Sequence, residues 1–239
     1  MKTLLLVAIA SIFMSACNIF NGEWITGNGN IRTEKRNTGN FTGVKTSGSI
    51  DVEISSGDAY AVSAEDDDNV LPYIVTEVRE GVLNVHYKEG TSIQNDHAKV
   101  YVTAPSLDKV SVSGSGNITT TDVLKNSREI ELNVSGSGDI KGKVDAPSIH
   151  SSISGSGNIT LTGRTKDIES EISGSGDFNC GSLESENATV KIIGSGNAHV
   201  FASVHLSASV IGSGDIYYRG NPSSPEIHTT GSGTVQAEK

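Results

Sequence analysis

Residues 149–161 read IHSSISGSGNITL, and close variants of this run recur along the second half of the chain. The Gly-Ser-Gly phrase occurs seven times, at successive spacings of 22, 19, 19, 20, 18 and 19 residues. Such regular spacing is typical of stacked structural repeats. The first glycines of the seven phrases are Gly114, Gly136, Gly155, Gly174, Gly194, Gly212 and Gly231.

Apolar side chains recur at every second position on both sides of each phrase, which indicates strands rather than helices. The residue two before the first glycine is Val or Ile in six of the seven copies, and the residue four after it is apolar in all seven. Stacked repeats pair equivalent strands in parallel, and crossovers between parallel strands are overwhelmingly right-handed. The sequence therefore predicts an all-β, right-handed, single-stranded parallel β-helix, or solenoid, with turns of about 19 residues.

The Gly-Ser-Gly phrases fit the corners between these strands. A tight corner often needs a positive φ angle, which glycine adopts without steric cost. The rival interpretation is a phosphate-binding loop, but the nucleotide fingerprint Gly-x-Gly-x-x-Gly needs a third glycine that all seven copies lack. We therefore interpret the phrases as structural turns.

The fourth position of the phrase alternates between amide and acid. Alternation places carboxylates on every second layer, about 9.6 Å apart, where salt largely screens their repulsion. A column of calcium ligands is the competing interpretation, and its candidate ligands are Asp139, Asp177 and Asp215. We predict neither a metal nor a cofactor. The column consists of Asn117, Asp139, Asn158, Asp177, Asn197, Asp215 and Thr234.

The N-terminus resembles a secretory leader. An apolar run from Leu4 to Met14 is followed by Ser15-Ala16-Cys17, and it is too short for a permanent membrane helix. The Ser-Ala-Cys end resembles the lipobox of bacterial lipoproteins, which implies a signal peptide at 1–16 and lipidation of Cys17. The alternative is a plain secreted protein cut near Ala16, with an incidental Cys17.

The remaining chain divides into a tether and one domain. Residues 17–40 are rich in Asn, Gly and Thr and predict a flexible tether. Residues 41–239 predict the β-helix domain, with irregular opening turns at 41–107 and the Gly-Ser-Gly turns at 108–239. Asp66-Asp67-Asp68 within the opening turns is predicted to be a solvated loop.

The net charge bears on the possible partners, and the cysteine count bears on disulfide bonds. The formal net charge of -10 disfavours nucleic acid and anionic membrane surfaces, which attract basic patches. Once Cys17 is the lipidated terminus, Cys180 is the one cysteine left, so no disulfide forms within the domain. Cys180 falls in an inward column, where a free cysteine behaves as a small apolar residue.

Four segments together resemble one protein family. They are residues 41–44 (FTGV), 50–54 (IDVEI), 71–78 (LPYIVTEV) and 100–107 (VYVTAPSL), which lead into the first Gly-Ser-Gly phrase. The combination resembles the head GIN domain family of auto-transporter adhesins, found largely as envelope lipoproteins of Bacteroidetes. The resemblance covers Phe41 to the C-terminus and implies a right-handed parallel β-helix. It brings no catalytic residues to carry over.

Three classes of function follow. The favoured one is a non-enzymatic binding or adhesion module for a glycan or a protein, attached to the outer membrane by its lipid. The second is an envelope scaffold or regulatory protein-binding domain. The third is a polysaccharide lyase or hydrolase, since such enzymes occur on β-helices and use clustered carboxylates with a basic residue. Lys141 beside Asp139 is the nearest approach to such a site in the sequence.

Overall fold

The structure, a computed structural model, describes residues 22–95 and 97–238. Within these ranges the chain is built from strands, joined by turns and by one short 3-10 helix, Leu71–Tyr73. The strands are β1 (Glu23–Thr26), β2 (Ile31–Arg36), β3 (Gly43–Gly48), β4 (Asp51–Ser56), β5 (Ala61–Asp67), β6 (Ile74–Arg79), β7 (Val82–Tyr87), β8 (Thr91–Gln94), β9 (Lys99–Ala104), β10 (Lys109–Gly114), β11 (Ile118–Lys125), β12 (Glu129–Gly136), β13 (Ile140–Gly155), β14 (Ile159–Gly174), β15 (Phe178–Glu184), β16 (Asn187–Gly194), β17 (Ala198–Phe201), β18 (His205–Gly212), β19 (Ile216–Arg219), β20 (Glu226–Gly231) and β21 (Val235–Ala237).

The stacked parallel strands form a β-solenoid of about 6 turns, as the spacing predicts. Each Gly-Ser-Gly phrase pairs in register with the phrase one layer below: Gly155 lies opposite Gly136 and Gly174 opposite Gly155. Every layer has two sides. We call the side formed by the strand residues that precede the phrase face A, and the side formed by the strand residues that follow it face B; β13 and β14 are continuous from face B into face A.

The core is a column of apolar side chains between the two faces, mostly Val, Ile, Leu and Ala, with Phe41 and Phe178 as its largest members. The predicted inward columns are buried in the layers from β10 to β19; Ile153, Ile172 and Ile192 are each 0% exposed. Each layer covers the apolar residues of the layer beneath it, so burial depends on stacking. In the last layer, β20 and β21, Thr229 is exposed and Val235 is half-buried.

The opening turns do not stack in chain order. The layer formed by β3 and β4 lies between β7–β9 on one side and β10–β11 on the other. Gly48 lies opposite Gly114 and has a φ of 88°, so it forms a corner without the complete Gly-Ser-Gly phrase. Three pairs in this region, β2–β5, β5–β9 and β6–β7, are antiparallel.

Residues 17–40 differ from the predicted tether in their described part. Strand β1 pairs in parallel with β8, and β2 pairs along its whole length with β5 in antiparallel sense. Strand β2 satisfies the backbone groups of an otherwise open edge, and its own side chains are almost all exposed. That is why a sequence as polar as IRTEKR forms a strand without apolar alternation.

Candidate functional site

The Asn and Asp side chains of the corner column form a continuous hydrogen-bond ladder. The backbone N–H and the Nδ2 of Asn158 both donate to Asp139 Oδ1, each over 2.8 Å. One layer further on, the backbone N–H of Asp177 donates to Asn158 Oδ1 over 2.9 Å. The same pattern repeats at Asn197 on Asp177, with distances of 2.9 and 3.1 Å. Each side chain therefore accepts the backbone N–H of the next layer.

The hydrogen bonds of this ladder explain why amide and acid alternate at the fourth position of the phrase, which charge spacing alone does not explain. An amide donates to the carboxylate below it and still offers an oxygen to the layer above, whereas two successive carboxylates have no side-chain donor between them. The ladder begins one layer earlier than the phrase predicts, because Asn117 donates twice to Asp51 Oδ1. It ends at Thr234, whose hydroxyl lowers the pKa of Asp215.

The three candidate calcium ligands lie in this ladder. In Asp139 and Asp177, Oδ1 already accepts two N–H donors, and Asp215 Oδ1 accepts the backbone N–H and hydroxyl of Thr234. Across residues 22–95 and 97–238, no three His, Cys, Asp or Glu side chains are grouped so that they could hold a metal ion.

Both glycines of each phrase lie against the layer below. The first, as at Gly174, has a positive φ of 132°, and a Cβ placed there would lie 2.3 Å from Gly155 O. The second has no such φ, yet at Gly176 a Cβ would lie 2.1 Å from Gly157 O. The corner therefore excludes side chains at one position by conformation and contact, and at the other by contact alone.

A polar groove runs along face B near the start of the regular turns. Its volume is about 450 Å³. The outward side chains that line it come from four stacked layers and from β9, and the buried residues Val52, Ile118 and Ile140 complete its lining. We call it the face B groove, and its outward polar residues are Asp51, Glu53, Lys99, Asn117, Thr119, Asp139, Lys141 and Thr160.

The charges of the groove are of both signs. Lys99 Nζ lies 3.1 Å from Glu53 Oε2, and this hydrogen bond raises the pKa of Lys99. Lys141 is exposed and contacts no partner within the described ranges. The groove thus presents a free ammonium group, a lysine–glutamate pair and threonine hydroxyls side by side.

An irregularity in β11 shapes the rim. The pairing of β11 with β13 shifts register between Thr119 and Val123, where four steps along β11 correspond to two along β13; this supplies two of the three residues by which the first spacing of 22 exceeds 19. Gly142 lies directly beneath this bulge, since a Cβ there would lie 2.5 Å from Thr120 Oγ1. Bulges often occur where a sheet must re-aim its side chains next to a site. The unequal spacing was the one sequence signal for this feature.

A second depression of about 310 Å³ continues along face B from Thr160. We call it the Gly181 recess, after the glycine at its centre. His199 and Arg219 form one wall with Glu238, which lies 3.0 Å from His199 Nδ1 and 3.1 Å from Arg219 Nε. The sequence places His199 on the outward side but does not predict this cluster, whose members lie 19 and 20 residues apart. The other lining residues are Leu161, Thr162, Asn179 and Ser182.

Cys180 and Asp67 are both buried in the structure. Cys180 is 1% exposed, and burial raises the pKa of its thiol, so it packs as an apolar residue. The prediction of a solvated loop at residues 66–68 is wrong for Asp66 and Asp67, which are 0% and 1% exposed. Asp66 Oδ1 accepts the backbone N–H groups of Asp67 and His97, and only Asp68 reaches the surface, where Asn28 and Asn30 bind it.

The predicted signal peptide and Cys17 lie outside the described residues. Inside them, none of the helical structure is long and apolar enough to cross a bilayer.

Stacked parallel layers with a polar groove on one face place the chain among the parallel β-solenoid proteins. The family model described as "Putative auto-transporter adhesin, head GIN domain" matches residues 40–222, and the chain belongs to this family. The family resemblance seen in the sequence is thereby confirmed. A comparison with curated proteins finds no match.

Solved structures of proteins from Parabacteroides and Bacteroides share the fold. A "putative adhesin" from Parabacteroides distasonis is 28% identical, with a TM-score of 0.73 over 90% of this chain and 100% of that chain. A "putative lipid binding protein" from the same species is 26% identical, with a TM-score of 0.76 over 91% and 100%. A "putative adhesin" from Bacteroides fragilis, at 19% identity, has a TM-score of 0.84 over 90% and 100% and shows the fold alone.

Proposed function

We propose that this chain is a non-enzymatic adhesin-type binding module that holds an extended glycan in the face B groove. The groove is the observation that carries the proposal. It crosses four stacked layers that place polar side chains at a regular spacing, so it offers successive contacts to a ligand that itself repeats along its length. Its hydroxyls, carboxylates and ammonium groups are donors and acceptors of the kind that sugar hydroxyls need.

The bonding of the groove carboxylates supports binding over catalysis. A glycosidase needs one carboxyl group as proton donor and another as base or nucleophile. Here Asp51 and Asp139 each accept two ladder bonds through Oδ1, and Glu53 is paired with Lys99. These carboxylates are fixed as acceptors, which suits the orientation of a bound hydroxyl group.

A bulky side chain in the groove should weaken glycan binding strongly. Thr160 lines both the groove and the Gly181 recess, and an indole there would occupy the space of the ligand. We expect Thr160→Trp to weaken binding to retained glycans by more than about tenfold on a glycan array and in calorimetry. Thr189→Trp on face A is the control, because Thr189 is likewise a strand threonine and its exposed side chain lines neither depression.

Equal binding by the two tryptophan variants would remove the groove from the proposal. Release of reducing ends from a retained polysaccharide by the wild-type protein would contradict the non-enzymatic assignment, and Asp139→Asn would then identify the carboxylate responsible.

We further propose that lipidation of Cys17 anchors the module in the cell envelope, at the outer membrane. The lipobox-like Ser15-Ala16-Cys17 supports this assignment, and a family of adhesins is expected at the envelope. Cys17→Ala removes the thiol that would carry the lipid. We expect the variant to move from the membrane fraction to the soluble fraction, followed by immunoblotting. Unchanged fractionation, with Cys180→Ala as control, would show that another element holds the protein.

A further inference from the structure

We infer that the Gly181 recess binds the carboxylate of an acidic sugar through Arg219. The inference rests on the proposed glycan-binding function and names one sugar of that ligand. The Gly181 recess is a second depression beside the face B groove, and Thr160 lines both.

The recess exists because strand β15 carries an extra residue. Thr160 lies opposite Asn179 and Thr162 opposite Ser182, so two steps along β14 correspond to three along β15. Gly181 lies within this bulge, and a Cβ there would have His199 Cβ, at 3.7 Å, as its only neighbour within 4 Å. The space above the backbone is therefore open, and glycine keeps it open.

Arg219 lines this space, and its side chain is about half exposed. Its Nε donates to Glu238 Oε2 over 3.1 Å, which fixes the plane of the group. Its two terminal nitrogens bind no group within residues 22–95 and 97–238. A planar pair of N–H donors matches the two oxygens of a carboxylate.

Glu238 also orients the imidazole of His199. Its Oε1 lies 3.0 Å from Nδ1 of His199, and the ring stacks on Tyr217 with centroids 4.9 Å apart and planes at 17°. Both oxygens of Glu238 are thus used within the protein. The remaining polar groups of the recess are the Asn179 amide and the hydroxyls of Ser182, Thr160 and Thr162, so the recess can bind an anion and the hydroxyls beside it.

The recess and the groove differ in charge. Three carboxylates line the groove, whereas Glu238 is the one carboxylate lining the recess and faces an arginine. With a net charge of -10, the protein repels a densely charged polyanion. The geometry therefore points to a mostly neutral glycan with a single acidic sugar held at the recess.

Methyl glucuronoside tests the inference directly, by titration into the ¹⁵N-labelled protein with backbone amide shifts as readout. We expect saturable shifts at Gly181 and Ser182, and binding about tenfold weaker for its methyl ester, which lacks the charge. Arg219→Gln should remove the difference between acid and ester. Arg128→Gln, an exposed arginine that lines neither depression, should keep it.

Several results would overturn the inference: no shift at Gly181 and Ser182, equal binding of acid and ester, or an unchanged preference in a folded Arg219→Gln variant. If methyl glucoside 6-sulfate binds more tightly than methyl glucuronoside, the recess prefers a sulfate ester to a carboxylate, and the assignment is wrong. Glycan binding that Thr160→Trp blocks, without a response to the glucuronoside, would refute this inference alone. A saturable response to the glucuronoside, without glycan binding that Thr160→Trp blocks, would refute glycan binding in the face B groove and support the recess as a carboxylate site.

Discussion

Replacing Gly174 by alanine is expected to lower the free energy of unfolding by about 3 kcal/mol. Gly174 has a φ of 132°, which L-residues rarely adopt, and its Cβ would lie 2.3 Å from Gly155 O in the layer below. The same oxygen accepts backbone N–H groups of Ser175 and Gly176. The clash can be relieved only by separating two layers, which breaks these bonds.

Gly181→Ala is the matched control for this prediction. Gly181 lies in β15 on face B, its φ is not positive, and a Cβ there would have ordinary room. We expect a change of less than about 1 kcal/mol there, in urea denaturation followed by circular dichroism. A loss for Gly174→Ala as small as that for Gly181→Ala would show that the corners tolerate a side chain and that the layers are not in close contact.

The regular half of the fold could be read from the sequence because each layer repeats the constraints of the previous one. Ile153 and Ile172 are buried because the same position two residues before the glycine is filled in layer after layer. The opening turns lack that support. Gly48 belongs to the corner and Asp51 to the ladder, but Gly48-Ser49 is followed by isoleucine instead of a second glycine, so this layer lacks the Gly-Ser-Gly phrase.

Features that depend on contacts between distant residues could not be predicted. Strand β2 pairs with β5 although its sequence shows no apolar alternation, because its role is to cover an edge. The Gly181 recess depends on one extra residue in β15 and on Arg219 and Glu238 meeting across layers. The 20-residue spacing between Gly174 and Gly194 reflects the extra residue, but neither composition nor spacing indicates that Arg219 and Glu238 meet. The acid–amide alternation was visible in sequence, but the ladder that explains it required atomic distances.

Asn158→Asp tests that ladder, and we expect it to lower the free energy of unfolding by about 3 kcal/mol near neutral pH. The substitution replaces a donor to Asp139 Oδ1, now 2.8 Å away, by a second carboxylate oxygen. It also places three carboxylates on consecutive layers about 4.8 Å apart. Asp177 keeps an acceptor for its backbone N–H, so the loss comes from the missing donor and the repulsion.

The effect should depend on pH in a defined direction. Neighbouring carboxylates raise the folded-state pKa of the new acid above its unfolded value, so the folded variant binds more protons and its deficit shrinks as the pH falls through that raised pKa. In the wild type, by contrast, the free energy of unfolding decreases as the pH falls. Hydrogen bonds hold the pKa values of Asp215 and Glu131 low, so their contribution is present above the unfolded values and is lost as the pH falls through the folded ones.

Urea denaturation of the variant and the wild type, near neutral pH and at about pH 4.5, measures this difference. Ser156→Asp is the control, since it adds the same charge at an exposed corner of the same layer. It should cost less than about 0.5 kcal/mol at both pH values. A deficit for Asn158→Asp that equals that of the control, or that grows on acidification, would mean that the alternating column only separates charges and that the amide–carboxylate bonds contribute nothing to the stack.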